Sequence, residues 1–410
     1  MPKLVGKNGD EAVPTCGRCD KSGRWCDRSQ SLRIRAQKNV GKHDEAAIHA
    51  LGATRAKTAD IRDPQSALQD EDIAQNFEHY LKELAPWYDL NDLDMTFAVV
   101  VARRALRSQL LLSAIIAFAA VHKSRTGHAA SKTLAETHHA HCLRLLIGLD
   151  NDDIEIRDGT ALAATCLLRS YEILSEEEDP NRHLFGAFSL IPLLSSALPS
   201  EQLLRAGLWN YLREDITFSL INECPLKIEL GEVNVEPRRE DDYASQITLL
   251  LGRLINAAFA KEQLTVERLR QAVSHWYATC PFRPYHESHG NGFPRIRMLQ
   301  NCHFAAMHYY YVAMCLVDVS NARPARLEEY ARLICGSTFT ASNDPTMVNA
   351  YGPICYSAKW LKRDDDRREV VDRLLASQRR TGWPVQTIIV RLKEQWLTGT
   401  EGFESTVPPT

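Results

Sequence analysis

The stretch DIAQNFEHYLKELAPWYDL, residues 72–90, places Ile73, Phe77, Tyr80, Leu81 and Leu84 at alternating spacings of three and four. That is the apolar stripe of an amphipathic helix, and Pro86 is expected to end it because proline lacks the donor a helix interior needs. The same periodicity returns along most of the chain. It predicts helices at about 95–123, 132–149, 159–175, 182–196, 202–222, 242–260, 264–277, 297–320, 325–335, 348–362, 367–379 and 384–398. Alternation of period two is nearly absent, and the best strand candidate is LKIEL at 226–230. Polar or Pro/Gly-marked joints such as SEEEDPN, LGEVNVEPRRE and PFRPYHESHGNGFP separate the helical runs. The expected fold class is therefore all-α: a large helical regulatory domain preceded by a small, partial zinc-cluster or disordered basic segment.

With 410 residues, 44% of them hydrophobic, a sizeable core is available. The most apolar run, LLLSAIIAFAAV at 110–121, is too short to span a bilayer, which needs about 20 apolar residues. Without an apolar leader at the start, the reading is a soluble, intracellular protein that does not insert in a membrane. Eight of the eleven cysteines, from Cys142 onward, stand singly in apolar or mixed surroundings, which suits small buried hydrophobes in a reducing compartment better than a disulfide framework.

Charge is distributed unevenly. Residues 1–43 hold ten Lys/Arg against four acids, a net of +6, so that against a whole-chain net of −3 the remaining residues carry −9. A basic head on an acidic body points to a polyanionic partner at one end. Within the head, PTCGRCDKSGRWCDRSQS at 14–31 sets Cys16, Cys19 and Cys26 in the pattern C-x2-C-x6-C. Two cysteines separated by two residues can bite one zinc ion, but three thiolates are one short of a tetrahedral shell. A segment with so little apolar content either binds metal or stays disordered.

This cysteine spacing, with Arg18, Lys21 and Arg24 inside it and Pro14-Thr15 before it, resembles the second half of a fungal binuclear zinc cluster, in which six cysteines hold two zinc ions. In that family the first half carries the basic run that reads DNA, and it should lie upstream, where this sequence has only MPKLVGKNGDEAV. Three readings stay open: an upstream exon is missing from the start, the cluster is a relic, or a single zinc is completed by His43, by Asp20 or by a second chain. The body resembles the fungal-specific transcription factor domain over roughly residues 70–400. The blocks carrying that likeness are HYLKELAPWYDLND at 79–92, VVVARRALRSQLLLSAIIAFAAVHKSRTG at 99–127 and LAATCLLRSYEIL at 162–174. They continue with HLFGAFSLI at 183–191, LWNYLREDITFSLINECPLKIEL at 208–230, PFRPYH at 281–286 and FPRIRMLQNCHFAAMHYYYVAMCLVDV at 293–319.

The resemblance implies a layout of zinc-cluster DNA-binding segment 1–30, linker 31–70, helical regulatory domain 71–400 and disordered tail 401–410. It implies a nuclear transcriptional regulator that is not an enzyme, with zinc as cofactor and Cys16, Cys19 and Cys26 as metal ligands. Arg18, Lys21, Arg24, Arg28, Arg33 and Arg35 are expected to contact DNA phosphates, positioning the head without reading bases. Expected partners are promoter DNA, the transcription machinery and a second copy in a homodimer, with a metabolic or secondary-metabolite gene cluster of a filamentous fungus as target. The alternative is a helical interaction or effector-binding protein derived from such a regulator that no longer binds DNA.

Other motifs are weighed against plainer accounts. ETHHAHCLRLL puts His138 and Cys142 on one helical face, a ligand-compatible pair, yet a histidine-rich helix at its solvated end is the expected account. The block His308, Tyr309, Tyr310 and Tyr311 could line a small-molecule pocket, although core packing is the commoner role. DNDDIEI at 150–156 and EEED at 176–179 lack the D-D-x-x-D spacing of a diphosphate-binding magnesium site and read as solvated joints. Leu203, Leu204, Leu208, Tyr211, Leu212 and Ile216 form a core stripe, with Arg205, Arg213 and Glu214 off it.

Overall fold

The run Leu110–Val121 is apolar on every side, and a helix of that kind has nowhere to lie but the interior. In the computed structural model it forms the middle of a helix, Gln109–Arg125, in which every residue from Leu110 to His122 is buried. The structure describes residues 63–127, 132–175, 181–187, 190–191 and 198–401, all within the unit Lys57–Thr410. The cysteine-bearing and basic positions from Cys16 to Arg35 lie outside the described residues.

The first long helix, α1 (Glu71–His79), starts where the sequence expects. Its cap is Asp70, whose carboxylate accepts from the backbone N–H groups of Asp72 and Ile73 at 3.0 and 3.2 Å. Pro86 does not end this run. A π-helical turn at Tyr80–Leu84 widens the helix, and a further α-turn at Ala85–Tyr88 carries Pro86 in its first positions. There the missing proline N–H costs little, and the widened turn relieves the clash proline makes with the carbonyl four residues back.

The interior helix is α2 (Gln109–Arg125). Sequence periodicity predicts one run over 95–123, but the structure breaks it into a π-turn at Phe97–Val101, a short helix at Ala102–Ala105 and then α2. The break follows from Ser108, an extended cap residue whose hydroxyl accepts from Leu111 N–H. Packed against α2 are α1, α3 (Lys132–Ile147) and α4 (Thr160–Ser175). The long helix α5 (Gln202–Asn222) crosses from α4 to the second half of the body, which comprises α6 (Glu240–Phe259), α7 (Gln263–Thr279), α8 (Asn301–Ser320), α9 (Leu327–Ala341), α10 (Asp344–Ser357), α11 (Asp364–Thr381) and α12 (Gln386–Glu401). Helix α8 is the hub of this half, touching α6, α7, α9 and α10. Helix α10 starts at Asp344 rather than 348 because Asn343 caps it through Thr346 N–H at 2.9 Å, with Pro345 beside the cap.

The all-α expectation holds: among the described residues the only strands are β1 (His286–Ser288) and β2 (Arg295–Arg297), an antiparallel pair. They fall in PFRPYHESHGNGFP and its continuation, read from the sequence as a joint. The LKIEL candidate is corrected as well. Its backbone is satisfied by side chains: Lys227 and Ile228 donate to the Asp215 carboxylate, each at 2.9 Å, and Leu226 to Asn256 at 2.8 Å. All eight cysteines of the body are free; seven are buried and Cys224 is half-buried. No helix among the described residues is long and apolar enough to cross a membrane.

Candidate functional site

The motifs singled out from sequence resolve mostly into packing. His138 is buried, not solvated, and Cys142 is buried with its thiol toward the Leu110 carbonyl, so α3 presents this pair to α2. His139 stacks on Tyr171 with ring centroids 4.1 Å apart and meets His183 at 3.3 Å. The expectation of a histidine-rich solvated end is therefore overturned, because α3 lies with this face against α2 and α4. Among the described residues no group of three or more His, Cys, Asp or Glu is arranged to hold a metal ion. His308 and Tyr309 are fully buried in α8. There His308 Nε2 sits 2.9 Å from the Ser337 hydroxyl, and Tyr309 donates to Asn349 Oδ1 at 3.0 Å. Asp150 and Asp152 are exposed in a turn, whereas EEED lies outside the described residues.

The polar groups that do converge were not anticipated from sequence. Arg213 lies off the α5 apolar stripe but is only 8% exposed. Its Nη2 donates to the carbonyls of Tyr88 (2.9 Å) and Trp87 (3.4 Å) and to Asn210 Oδ1. On α4, Arg169 is equally enclosed. It pairs with Glu172 at 3.3 Å, reaches Glu214 at 3.8 Å and donates to Asn181 at 3.0 Å. Glu172, 1% exposed, is itself held by Arg182 and by the backbone N–H of His183. A visible signal was an arginine inside the apolar run LAATCLLRSYEIL with a glutamate three residues on. Such a charge survives burial only when paired.

These groups form one side of a cleft of about 390 Å³, within the usual span of small-molecule sites of roughly 300–1,000 Å³. The floor is polar: Arg169, Ser170, Asn181, Asn210, Arg213 and Asn349. The opposite wall is aromatic and aliphatic, with Trp87, Tyr351 and Trp383 at its centre. Trp87 and Trp383 meet edge to face at 6.0 Å, and Tyr351 stacks on Trp383 at the same separation. Gly382, at φ +67°, ends α11 in a left-handed turn and so delivers Trp383 to the wall.

Burial decides the protonation of what lines this space. The Cys166 thiol is pushed up to about 12 by burial, so it is present as the thiol and not as a nucleophilic thiolate. Tyr88 is also driven well upward by burial, and its hydroxyl is shared with Ser170 at 2.6 Å. The cleft thus gathers neutral donors, two guanidinium groups and flat apolar surface, the composition of a binding site with a polar anchor and a desolvated wall.

Residues 76–219 are matched by the family model of the Fungal specific transcription factor domain. The resemblance read from the sequence holds over that span, which supplies Trp87, Tyr88, Arg169, Asn210 and Arg213 to the cleft, while Asn349, Tyr351 and Trp383 come from beyond it. No curated protein and no solved structure matches the chain.

Proposed function

We propose that the chain is a transcriptional regulator whose helical body senses a small molecule in the cleft between α4, α5 and α10. The observation that carries this reading is the family match over residues 76–219, because the matched span contributes the cleft's charged floor. In this reading the basic N-terminal segment binds promoter DNA in the nucleus. Cys16, Cys19 and Cys26 ligate zinc, and Arg18, Lys21, Arg24, Arg28, Arg33 and Arg35 neutralise phosphates. A homodimer contacting the transcription machinery completes the scheme, with a metabolic or secondary-metabolite gene cluster as the target.

Two measurements on the full-length protein from its own cells test it. Native mass spectrometry reports bound zinc, and chromatin occupancy mapping reports promoter sites. Zinc together with discrete promoter occupancy supports the regulator. A second reading, an interaction protein that has left DNA, is favoured by the three-thiolate count, one short of a zinc shell. A zinc-free protein without promoter occupancy, retaining partner proteins, would establish it instead.

A further inference from the structure

Buried arginines are normally matched by carboxylates, since an enclosed charge without a counter-charge is costly. Arg169 follows the rule through Glu172 and Glu214. Arg213 does not. Among the described residues it forms no ion pair, and all three of its hydrogen bonds leave from the single nitrogen Nη2 toward neutral acceptors. Its Nε and Nη1 donors bond to no described residue. The other acids that face it act from further off. Asp89 is engaged with the backbone N–H groups of Phe97 and Ala98 at 2.7 and 2.8 Å, and Glu214 turns to Arg169.

A second donor nearby is also unspent. Asn349 uses Oδ1 to accept from Tyr309, and its enclosed Nδ2 has no partner. Both residues line the cleft, opposite the indoles of Trp87 and Trp383 and the ring of Tyr351. Positive charge, surplus donors and flat apolar surface within about 390 Å³ specify one class of occupant.

We propose that the cleft binds a small organic carboxylate with a planar apolar body, Arg213 anchoring the carboxylate, Asn349 donating to it and the Trp87–Trp383–Tyr351 wall covering the flat portion. The inference rests on the reading of this cleft as the sensing site. A guanidinium presents a planar fork matched to a carboxylate, which an amide of the same shape cannot exploit.

Calorimetric titration of the full-length chain with matched pairs tests this: 2-naphthoate against 2-naphthamide, and indole-3-acetate against indole-3-acetamide. The acids are expected to bind at least tenfold more tightly than their amides. Arg213→Gln should erase that preference, and Val348→Trp, which fills the cleft, should abolish binding of both. If Arg213→Gln fails to fold, the acid-to-amide ratio on the unaltered protein still decides. Amides binding as well as acids would overturn the carboxylate class and leave the sensing cleft standing. Binding that survives Val348→Trp, or no binding of any probe up to millimolar concentration, would overturn the cleft as a ligand site.

Discussion

Arg213 Nη2 donates to the carbonyl oxygen of Tyr88 at 2.9 Å, joining residues 125 positions apart. The bond ties α5 to the short helix that follows the π-turn, and burial makes each of its partners expensive to orphan. Arg213→Ala strands the carbonyls of Trp87 and Tyr88 and the Asn210 amide at once. It should lower unfolding stability by roughly 2–3 kcal/mol. A urea midpoint unchanged from that of the unaltered protein would show the clamp to be idle.

Gly159 stands at φ +85°, and a Cβ placed on it would lie 2.4 Å from the backbone nitrogen of Leu204. Here the start of α4 presses directly on the start of α5, with backbone on both sides and nothing flexible to yield. Gly159→Ala combines left-handed strain with a main-chain collision and should cost about 3 kcal/mol, read as a fall in Tm. By contrast Gly127, at φ +112° with open space around it, should cost only the strain.

Acidification should loosen the body through its buried histidines. Burial holds His138 down to about 4 and His308 down to about 3, from an ordinary value near 6.5. Both are neutral in the folded chain, while the unfolded chain takes up protons below about 6.5. Their contribution is therefore complete above that pH and is lost as pH falls toward 4 and 3, by up to about 1.4 kcal/mol per pH unit for each residue. Asp89 and Asp215, raised by burial to about 7 and about 6, oppose this between about pH 4 and 7. Comparing His308→Gln with the unaltered protein isolates one histidine. The variant's loss of Tm between pH 6.5 and 5 should be the shallower, and parallel curves would refute the assignment.

The carboxylate of Asp366, 2% exposed at the start of α11, pairs with Arg332 of α9, which also donates to the Gly292 carbonyl in the hairpin loop. Removing the acid leaves an arginine facing the interior, so Asp366→Ala should cost about 3 kcal/mol. Faster amide exchange should appear first at α11 and β2. A uniform acceleration across the body would argue against a local clasp.

At the N-terminal end, each phosphate contact adds about 0.9 to the log–log dependence of DNA affinity on salt. Replacing Arg33 and Arg35 by alanine should flatten that slope by somewhat under two. An unaltered slope would remove both residues from the DNA-binding set.

Helix existence was legible from periodicity because a stripe at three and four spacing is a local property. Boundaries were less so where a side chain intervened, as Ser108 does before α2 and Asn343 before α10. The hairpin escaped notice because its strands are three residues each, too short for alternation to register, and β1 is exposed throughout. The cleft was the least legible feature. Trp87, Arg169, Arg213, Asn349 and Trp383 are spread over almost 300 positions, and nothing in their local context distinguishes Arg213 from a surface arginine. Only the tertiary course of α5 encloses it.

The wide turn at Tyr80–Leu84 is what an α-helix becomes when it absorbs one surplus residue. Each residue advances a helix by about 100°, so this single position sets the rotational phase of everything after it. Deleting one residue between Tyr80 and Leu84 would give a more regular helix and swing Trp87 and Tyr88 about a quarter of a turn away from the guanidinium they now receive. Chain length at this point is thus a specificity determinant in its own right, and variants of the protein that differ there by one residue would carry the same side chains and a different cleft.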